Sequence, residues 1–269
     1  MSGRVVKIAL LGASGRMGRS ILANAREDTA VEIVAAVVSP GSDSRGIDAG
    51  TLAGGAPLGV KCTSDLAAAL ATASVAIDVT QADQVANNAA ACAAANVPLL
   101  VCTTGLSATT EQSLIAISRK VAVLVAPNTS IGVAVVRSLV RRAAQLLPDS
   151  FDIEIVEAHH KHKLDAPSGT AKALGEAAAA GRGVKLADVQ VFDRAAQSAR
   201  RAGEIGMASV RGGDIVGTHT VWFAGQGELV TISHQASDRG IFARGALRAA
   251  AWLAGRDPGQ YSIDDVIGL

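Results

Sequence analysis

Short apolar runs rich in β-branched residues alternate with Ala-rich segments through the first half of the chain. The runs are VVKIALL, VEIVAAVV, VAIDVT, PLLVCTT and VAVLVAP, and helix-type segments such as ADQVANNAAACAAAN separate most of them. Strands that are buried on both faces read as continuous apolar runs, and strands that alternate with helices form parallel βαβ units. The pattern therefore predicts an α/β domain with a doubly wound parallel sheet.

After Pro127 the pattern changes and predicts a second, α+β domain. A helix at about 132–147 leads into FDIEIVEAH, whose alternation of apolar and acidic residues is typical of a strand with one exposed face. The later segments MASVRGGDIVGTHTVWFAG and GELVTISHQA predict long antiparallel strands, with GGD and GQG as hairpin turns. We therefore expect a mostly antiparallel or mixed sheet in this domain.

The closing segment, GIFARGALRAAAWLAG, has apolar residues at helical spacing and is predicted to return to the first domain. The expected boundaries are 1–130 and 240–269 for the first domain and 131–239 for the second.

The composition narrows the classes of partner. A net charge of +1 with 18% charged residues provides no global field that would hold a nucleic acid or an anionic membrane surface. The apolar runs stay below the roughly 18 residues that cross a bilayer, and the first one stops at Gly12, the length of a strand and not of a signal peptide. The three cysteines form no CxxC pair, so neither a disulfide framework nor a structural zinc site is expected. We predict a cytoplasmic protein with no membrane or nucleic-acid partner and no metal.

A glycine-rich loop, GASGRMGRSI, follows the first apolar run directly. Glycines at this spacing between a strand and a helix allow a tight turn, let main-chain N–H groups approach a pyrophosphate and let the helix pack closely. The first domain is therefore predicted to be Rossmann-like and to bind a dinucleotide through Gly12, Ala13, Ser14, Gly15, Arg16 and Met17. Since Ser14 replaces the middle glycine of GxGxxG, a merely structural turn is the alternative, and Arg19 is as well explained as a solvated helix residue.

The end of the second strand, AAVVSPGSDSR, lacks the carboxylate that grips the adenine ribose of NAD. Val38 and Ser39 stand there instead. The hydroxyl of Ser39, with Arg45 from the loop, would tolerate a 2′-phosphate that a carboxylate would repel. We therefore expect dual use of NADPH and NADH, with NADPH at least as good. An exposed loop arginine is the alternative for Arg45.

The next strands end in DVTQ, CTTG and APNTS. In open α/β sheets ligands lie beyond the carboxyl ends of the strands, so residues there should line the nicotinamide half of the cofactor site. The predicted residues are Cys102, Thr103, Thr104, Ala126, Pro127, Asn128 and Thr129. Turn capping is the alternative for the two consecutive threonines, and Cys102 is expected to be a small buried residue and not a nucleophile.

The segment EAHHKHKLDAPSGTA places three histidines and two lysines in five consecutive residues. A metal site is one interpretation, but the lysines would oppose a cation, and a solvated basic loop is another. A third interpretation is an anion-binding catalytic segment. The following DAPSGTAKALGEAAAAG predicts a helix with Pro167 in its early turn, Ser168 as its cap and Gly181 as its stop. Gly169 and Thr170 at the positive helix end, together with the lysines, suit a dicarboxylate, and a histidine can donate a proton near neutral pH.

These motifs resemble the 4-hydroxy-tetrahydrodipicolinate reductase (dihydrodipicolinate reductase) family of bacterial diaminopimelate and lysine synthesis. They are GASGRMGR, CTTG, APNTS, EAHHKHKLDAPSGTA, RGGDIVGTHTVWFAG and SHQASDRGIFARGA, which span most of the chain. The resemblance implies NAD(P)H-dependent reduction of a cyclic imino dicarboxylate at C4, with loss of the 4-hydroxyl as water. It also implies a homotetramer built through the sheet of the second domain.

The same resemblance implies roles for individual residues. His159 would be the proton donor and acceptor and Lys163 the second proton donor, while His160, Gly169 and Thr170 would hold the substrate carboxylates. Arg239, within SHQASDRG, is assigned to the cofactor. The chain departs from the family pattern at Val38-Ser39 and at Thr129, which stands where members often carry a phenylalanine.

Two other classes are consistent with parts of the sequence. Another nicotinamide-dependent reductase of amino-acid metabolism would share the glycine loop, but it would not require HHKHK next to PSGT. A dinucleotide sensor that changes partners with redox state would share the fold, but sensing needs no proton donor.

Overall fold

The computed structural model describes residues 5–192, 194 and 199–268. Within them the strands are β1 (Val6–Leu11), β2 (Val31–Val37), β3 (Cys62–Thr63), β4 (Val75–Asp78), β5 (Leu99–Val101), β6 (Ala122–Val125), β7 (Asp152–His159), β8 (Gln190–Val191), β9 (Ile205–Arg211), β10 (Gly217–Gly225), β11 (Glu228–Ala236) and β12 (Gly259–Tyr261). The helices in the same residues are α1 (Arg16–Ala25), α2 (Ala49–Leu52), α3 (Leu66–Leu70), α4 (Val85–Ala94), α5 (Ala108–Ile117), α6 (Ile131–Leu146), α7 (Gly169–Gly181), α8 (Leu186–Val189), α9 (Gly240–Leu253) and α10 (Ile263–Val266).

The chain divides into two compact units. Unit 1 comprises Met1–Ser130 and Gly240–Leu269, and unit 2 comprises Ile131–Arg239. Each unit has a sheet of its own with helices packed against it.

Unit 1 is built on a parallel sheet with the order β12-β6-β5-β4-β1-β2-β3. The strands at its centre are almost fully buried, because helices cover both faces of such a sheet. The direction of strand order reverses between β1 and β4, and this switch point is where open α/β sheets bind ligands. The predicted doubly wound sheet is confirmed. Strands β3 and β12 were missed, because two or three residues are too few to show a periodicity.

Helix α9 belongs to unit 1 and packs against α1 and the strands β4, β5 and β6. Its apolar residues recur at helical spacing, and those on one side, including Ala246, Leu247 and Ala250, are fully buried. Small side chains allow α1 and α9 to approach closely. Gly245 lets α9 lie against the segment that follows β6, since a Cβ there would come within 1.8 Å of the Thr129 carbonyl oxygen.

Unit 2 is built on a mixed sheet with the order β11-β10-β7-β9-β8. Strands β7, β10 and β11 pair in antiparallel fashion, whereas β9 runs parallel to β7 and to β8. The GQG turn joins β10 to β11 as predicted.

The predicted GGD hairpin is wrong, because β7 lies between β9 and β10. Strand β9 forms a seven-residue parallel ladder with β7, so the GGD segment crosses the end of β7 before β10 begins. The N–H of Gly212 donates to the carbonyl of His159 at 3.0 Å, and the N–H of Lys161 donates to the carbonyl of Gly213 at 3.2 Å. The glycines thus fold this crossing against the His159–Lys161 segment.

Strand β7 alternates as its sequence predicts. Ile153, Ile155, Glu157 and His159 are buried, and the intervening side chains are partly exposed. The buried face packs against α6 and α7 around Val140, Leu174 and Phe223. Within the described residues, no helix is both long enough and apolar enough to span a membrane.

Candidate active site

The glycine loop of unit 1 has the geometry of a dinucleotide cradle. Gly12 has a φ of +90°, and a Cβ there would lie 2.9 Å from the carbonyl oxygen of Val79. A Cβ at Gly18 would lie 2.3 Å from the Gly12 carbonyl oxygen, so a larger residue would push α1 away from the loop. The N–H groups of Gly12 and Ala13 both donate to the carbonyl of Val37, which fixes the loop at the end of β2. This packing leaves the start of α1 as the positive end of a helix beside β1.

The remaining residues of the loop divide into buried and accessible ones. Ala13 is buried, Ser14 and Met17 are partly exposed, and Gly15 and Arg16 are exposed. Arg19 donates from Nε to the Ser14 carbonyl and from Nη1 to the Leu52 carbonyl, both at 3.0 Å. Its charge is therefore used to tie the loop to α2.

Two residues at the end of β2 stand where a carboxylate would bind the adenine ribose, and they differ in their exposure. Val38 is 4% exposed and belongs to the core, whereas Ser39 is exposed. The Nη1 of Arg45 donates to the Pro40 carbonyl at 3.1 Å, which folds this arginine back toward the strand end. The carboxylate of Asp48 accepts from several main-chain N–H groups in the same loop, including that of Gly59 at 2.8 Å.

The end of β4 carries a fully buried carboxylate that the sequence pattern did not single out. Asp78 accepts from the hydroxyl of Thr80 at 2.6 Å and from the side-chain amide of Asn88 at 2.9 Å. The hydroxyl of Thr103 donates to the Thr80 carbonyl at 2.9 Å. The side chain of Thr103 is thus engaged in holding two strand ends together.

The other predicted nicotinamide-side residues lie on the same sheet edge. Cys102 is partly buried, and desolvation followed by the charge of Asp78 raises the pKa of its thiol, as expected for a residue that is not a nucleophile. Thr104 and Pro127 are exposed, Ala126 is buried and Asn128 is partly exposed.

Thr129, at the position where the family often has phenylalanine, is only 2% exposed. Its hydroxyl donates to the carbonyl of Phe242 in α9 at 2.6 Å. Because this hydroxyl is already used within unit 1, a contact from Thr129 to the cofactor would come from its main chain.

In unit 2, β7 and α7 place the histidine segment around the buried carboxylate of Glu157. Glu157 and His159 are two residues apart and therefore share one face of β7. Their contact, between Glu157 Oε2 and His159 Nδ1, measures 2.5 Å. Arg211 of β9 donates to both carboxylate oxygens, at 2.7 and 2.8 Å.

Glu157 is 1% exposed and remains ionised. Burial alone would raise its pKa, but hydrogen bonds from Arg211, Ser209 and His159 lower the pKa to about 2. A carboxylate held in this state stabilises and orients an adjacent imidazole.

Beyond β7 the chain turns back and brings Lys163 beside Asp165. The ammonium donates to the Asp165 carboxylate at 2.7 Å, and this contact outweighs desolvation to lower the pKa of Asp165. His160 lies nearby, where partial desolvation and then the charge of Arg239 lower its pKa. Arg239, which the resemblance assigns to the cofactor, is thus placed within unit 2, close to the histidine segment.

Helix α7 begins as the sequence predicts. Ser168 is its cap, with its hydroxyl oxygen accepting from the N–H of Ala171 at 3.1 Å, and Gly169 and Thr170 open the first turn. The prediction that Pro167 lies in the early turn is wrong, because Ser168 occupies the cap position and Pro167 precedes it, outside the helix. Gly181 is the last helical residue, and the left-handed residue that ends the turn is Gly183, with a φ of +70°.

His219 of β10 closes the buried side of the site. Its Nε2 lies 3.0 Å from the Ser168 hydroxyl, and its ring meets that of His159 edge to face at 5.0 Å. Burial, followed by the proximity of His159, lowers the pKa of His219 to about 4. The ring is therefore neutral near pH 7.

Comparison with known proteins decides the family. Residues 6–129 match the family description "Dihydrodipicolinate reductase, N-terminus", and residues 132–267 match "Dihydrodipicolinate reductase, C-terminus". The chain belongs to the dihydrodipicolinate reductase family. The resemblance drawn from the sequence motifs is confirmed.

Relatives that match over almost their whole length are 4-hydroxy-tetrahydrodipicolinate reductases. The chain is 49% identical over 266 residues to the 4-hydroxy-tetrahydrodipicolinate reductase of Anaeromyxobacter dehalogenans strain 2CP-1, covering 98% of each chain. It is 47% identical over 264 residues to that of Alkalilimnicola ehrlichii, covering 98% of this chain and 99% of the relative. Among solved structures, a dipicolinate-bound dihydrodipicolinate reductase from Paenisporosarcina sp. TG-14 matches with a TM-score of 0.77 at 26% identity, over 96% of this chain and 98% of the other.

Glu157, Arg211 and His219 are the members of this dihydrodipicolinate reductase site that sequence reasoning missed. A usable signal existed for the first, since the alternation in FDIEIVEAH places Glu157 and His159 on one face. Arg211 and His219 come from strands whose order could not be read from the chain. Within the described part of the chain, no group of three or more His, Cys, Asp or Glu side chains is arranged to hold a metal ion, so the metal interpretation gains no support.

Proposed function

We propose that this chain reduces 4-hydroxy-tetrahydrodipicolinate to tetrahydrodipicolinate with NAD(P)H, in diaminopimelate and lysine synthesis, with His159 and Lys163 as its proton-transferring residues. The reaction consumes one nicotinamide hydride and one proton and releases the 4-hydroxyl as water. The observation that carries the proposal is the histidine segment, built around an ionised Glu157 and followed directly by the start of α7, in a chain of this family.

Unit 1 would hold the dinucleotide, which supplies the hydride when bound. The fit rests on Gly12 and Gly18, where a Cβ would collide with main chain, and on the start of α1 beside the switch point of the sheet. Gly12, Ala13, Ser14, Gly15, Arg16 and Met17 would contact the pyrophosphate side. Cys102, Thr103, Thr104, Ala126, Pro127, Asn128 and Thr129, at the ends of β5 and β6, would contact the nicotinamide side.

Ser39 would lie beside the adenine ribose. Because it is uncharged and exposed, with Arg45 folded toward the same strand end, we propose that NADPH is used at least as well as NADH.

Unit 2 would bind the two substrate carboxylates. His160 and the ammonium of Lys163 lie in the loop between β7 and α7, and Gly169 and Thr170 lie at the positive end of that helix. The solved relative from Paenisporosarcina is described as bound to dipicolinate, a planar dicarboxylate of the same outline as the substrate. Two anchors, one cationic and one at the helix end, suit a dicarboxylate better than a monocarboxylate.

Proton transfer would be carried out by His159 and Lys163. His159 ends β7 and is held by Glu157, so its ring position is fixed by two packed strands. Lys163 is paired with the exposed Asp165, and a substrate carboxylate would compete for the same ammonium. One group can protonate the departing hydroxyl, which leaves as water, while the other takes a proton from the carbon next to C4. The second group can return that proton to the same carbon after hydride has been added to C4, so the net consumption is one hydride and one proton.

The decisive experiment is oxidation of NADPH by the purified chain in the presence of enzymatically generated 4-hydroxy-tetrahydrodipicolinate. Multiple turnovers that depend on the substrate and yield tetrahydrodipicolinate are expected. Tight NADPH binding without turnover would contradict the proposal and favour the dinucleotide sensor. Turnover with a different oxo or imino acid in place of this substrate would favour another reductase.

We further propose that the protein is a cytoplasmic homotetramer assembled through the sheet of unit 2. The outer face of that sheet exposes Trp222 and Leu229, which are 40% and 55% exposed, and Val210 of β9 is 50% exposed. Light scattering of the purified protein should give four times the chain mass of 27.1 kDa.

A further inference from the structure

The proposed proton-transferring imidazole, His159, is hydrogen-bonded to a buried carboxylate. Glu157 is almost completely buried, yet it bears a charge and contacts His159 Nδ1 at 2.5 Å. A buried carboxylate is costly unless it is fully hydrogen-bonded. Such a group is retained where it has a structural or a chemical task.

The hydrogen bonds of Glu157 fix where its oxygens point. Arg211 donates to both oxygens in the bidentate geometry that is specific for carboxylates. The N–H of Ser168 donates to Oε1 at 3.2 Å, and Ser209 adds a side-chain hydrogen bond. Because these donors hold the carboxylate in place, it presents Oε2 to the imidazole as a rigid acceptor.

We propose that Glu157 is a positioning residue that keeps His159 in the tautomer protonated at Nδ1, so that Nε2 is the nitrogen that exchanges protons with the substrate. This inference rests on the proposed function of His159. An ionised carboxylate accepts and cannot donate, so the Nδ1 that contacts it must bear the hydrogen. The remaining nitrogen, Nε2, accepts a proton in the neutral ring and donates it in the imidazolium.

The surroundings of Nε2 agree with this assignment. Gly217 lies beside it, and a Cβ at that position would approach Nε2 to 3.1 Å. The absence of a side chain therefore keeps space next to the exchanging nitrogen. The ring of His219 packs edge to face against His159 and limits its rotation.

Several charged or titratable groups face His159, and each contributes to its field. They are Glu157 on the same strand, Arg211 on β9, His219 on β10, and His160 and Lys163 in the following loop. Glu157 is the negatively charged group in contact with His159, and the carboxylate of Asp165, paired with Lys163, is a further negative charge in the same loop. Removal of the Glu157 charge would leave the imidazolium of His159 facing cations. As the pH rises, activity that depends on the protonated ring should therefore be lost at a lower pH than in the wild type.

The first test compares Glu157→Gln with Glu154→Gln in the full-length enzyme. Glu154 is a matched control, because it lies on the same strand, points to the other face and pairs with Arg194 and Arg200. For Glu157→Gln we expect kcat to fall by roughly 10- to 1000-fold, as when a catalytic imidazole loses its orienting carboxylate, with KM for the substrate changed by less than about threefold. The alkaline limb of its kcat profile should move to lower pH. Glu157→Asp should recover part of the activity, and Glu154→Gln should keep the wild-type kcat and pH profile even if it unfolds more easily.

The second test reads the tautomer directly by nitrogen NMR of the imidazoles in the wild-type protein, with His159→Gln to assign the signal. A neutral ring protonated at Nδ1 in wild type supports the proposal, and one protonated at Nε2 overturns it even if Glu157→Gln does not fold. A wild-type kcat and pH profile in folded Glu157→Gln also overturns it. These results are distinct from a failure of the proposed function, which would appear as wild-type protein that does not reduce the substrate and would leave the tautomer measurable.

Discussion

Arg211 joins Glu157 to Asp165, because its Nη2 donates to the Glu157 carboxylate at 2.7 Å and to the Asp165 carbonyl at 2.6 Å. One guanidinium thus connects the hydrogen-bonded pair Glu157 and His159 of β7 to the loop that carries Lys163. Lysine cannot reproduce this arrangement, since its ammonium has no planar fork.

Arg211→Lys is therefore expected to loosen the 160–166 loop while keeping the charge. We predict a fall in kcat/KM of roughly 10- to 100-fold and a loss of about 2–4 kcal/mol of unfolding free energy. The reason is that fewer hydrogen bonds would then offset the cost of burying the Glu157 charge. Steady-state kinetics and urea unfolding at pH 7.5 measure the two effects. Arg201→Lys, at an exposed position of the same unit, is the control, and an equal loss there would contradict the special role of Arg211.

Loss of the proposed proton-transferring groups should act on turnover and not on cofactor binding. His159 and Lys163 belong to unit 2, whereas the glycine loop belongs to unit 1. We expect His159→Ala and Lys163→Ala each to lower kcat by about 10² to 10⁴. NADPH affinity, followed by fluorescence titration, should stay within about twofold of wild type, since no pyrophosphate contact is removed. Near-normal kcat in both variants at saturating substrate would refute the assigned roles.

The sequence and the structure agree best where periodicity and local chemistry act over a few residues. The place of the glycine loop between a strand and a helix, the Ser168 cap and the alternation of β7 are local features, and each was predicted correctly. The position of β9 was not, because a parallel ladder to β7 depends on a crossover that no turn residue specifies. Arg211 and His219 reach the site only through that strand order, which explains why neither could be found from the chain.

Acid should destabilise the protein through His219 in a defined range. Its pKa is lowered from 6.5 to about 4, mainly by burial, so the unfolded chain binds the proton more readily than the folded one. The corresponding stability is fully present above about pH 6.5 and is lost as the pH falls toward 4. Glu157 acts at lower pH. Its pKa is lowered from 4.5 to about 2, so the stability it contributes is present above about pH 4.5 and is lost as the pH falls toward 2.

His219→Gln should flatten the dependence of unfolding free energy on pH between 7 and 4.5 by about 2–3 kcal/mol, the equivalent of the shift in pKa. Urea unfolding at the two ends of that range measures it. His162→Gln is the control for removal of an imidazole, because His162 is exposed and lies in the loop after β7. An unchanged slope in His219→Gln would show that another group, such as the partly buried His234, carries the acid sensitivity.

The two proposed anchors for the substrate predict selective inhibition. Pyridine-2,6-dicarboxylate should compete with the substrate, because one carboxylate can reach the start of α7 while the other meets the ammonium of Lys163 and the ring of His160. Removing one carboxylate, as in pyridine-2-carboxylate, should weaken inhibition by at least about tenfold, which corresponds to the loss of one charge-assisted contact. Inhibition constants at varied substrate concentration test this, and equal inhibition by both compounds would exclude the two-anchor arrangement.

Cofactor preference should be controlled at Ser39 and not at Val38. Both residues follow β2, but the side chain of Val38 is in the core, so a carboxylate introduced there would be buried and would mainly destabilise unit 1. Ser39 is exposed, and Ser39→Glu would place a carboxylate where it can accept from the ribose hydroxyl of NADH and repel the 2′-phosphate of NADPH.

The wild-type preference for NADPH should be modest and should weaken with salt. A well-formed contact from Arg45 to the 2′-phosphate is worth about 1.5 to 3 kcal/mol, but an exposed arginine contributes less. We expect the ratio of kcat/KM for NADPH to that for NADH to fall by roughly tenfold or more in Ser39→Glu. The ratio should stay near the wild-type value in Thr51→Glu, which adds the same charge at an exposed position of α2. A strong preference of the wild-type enzyme for NADH would show that a different residue recognises the ribose.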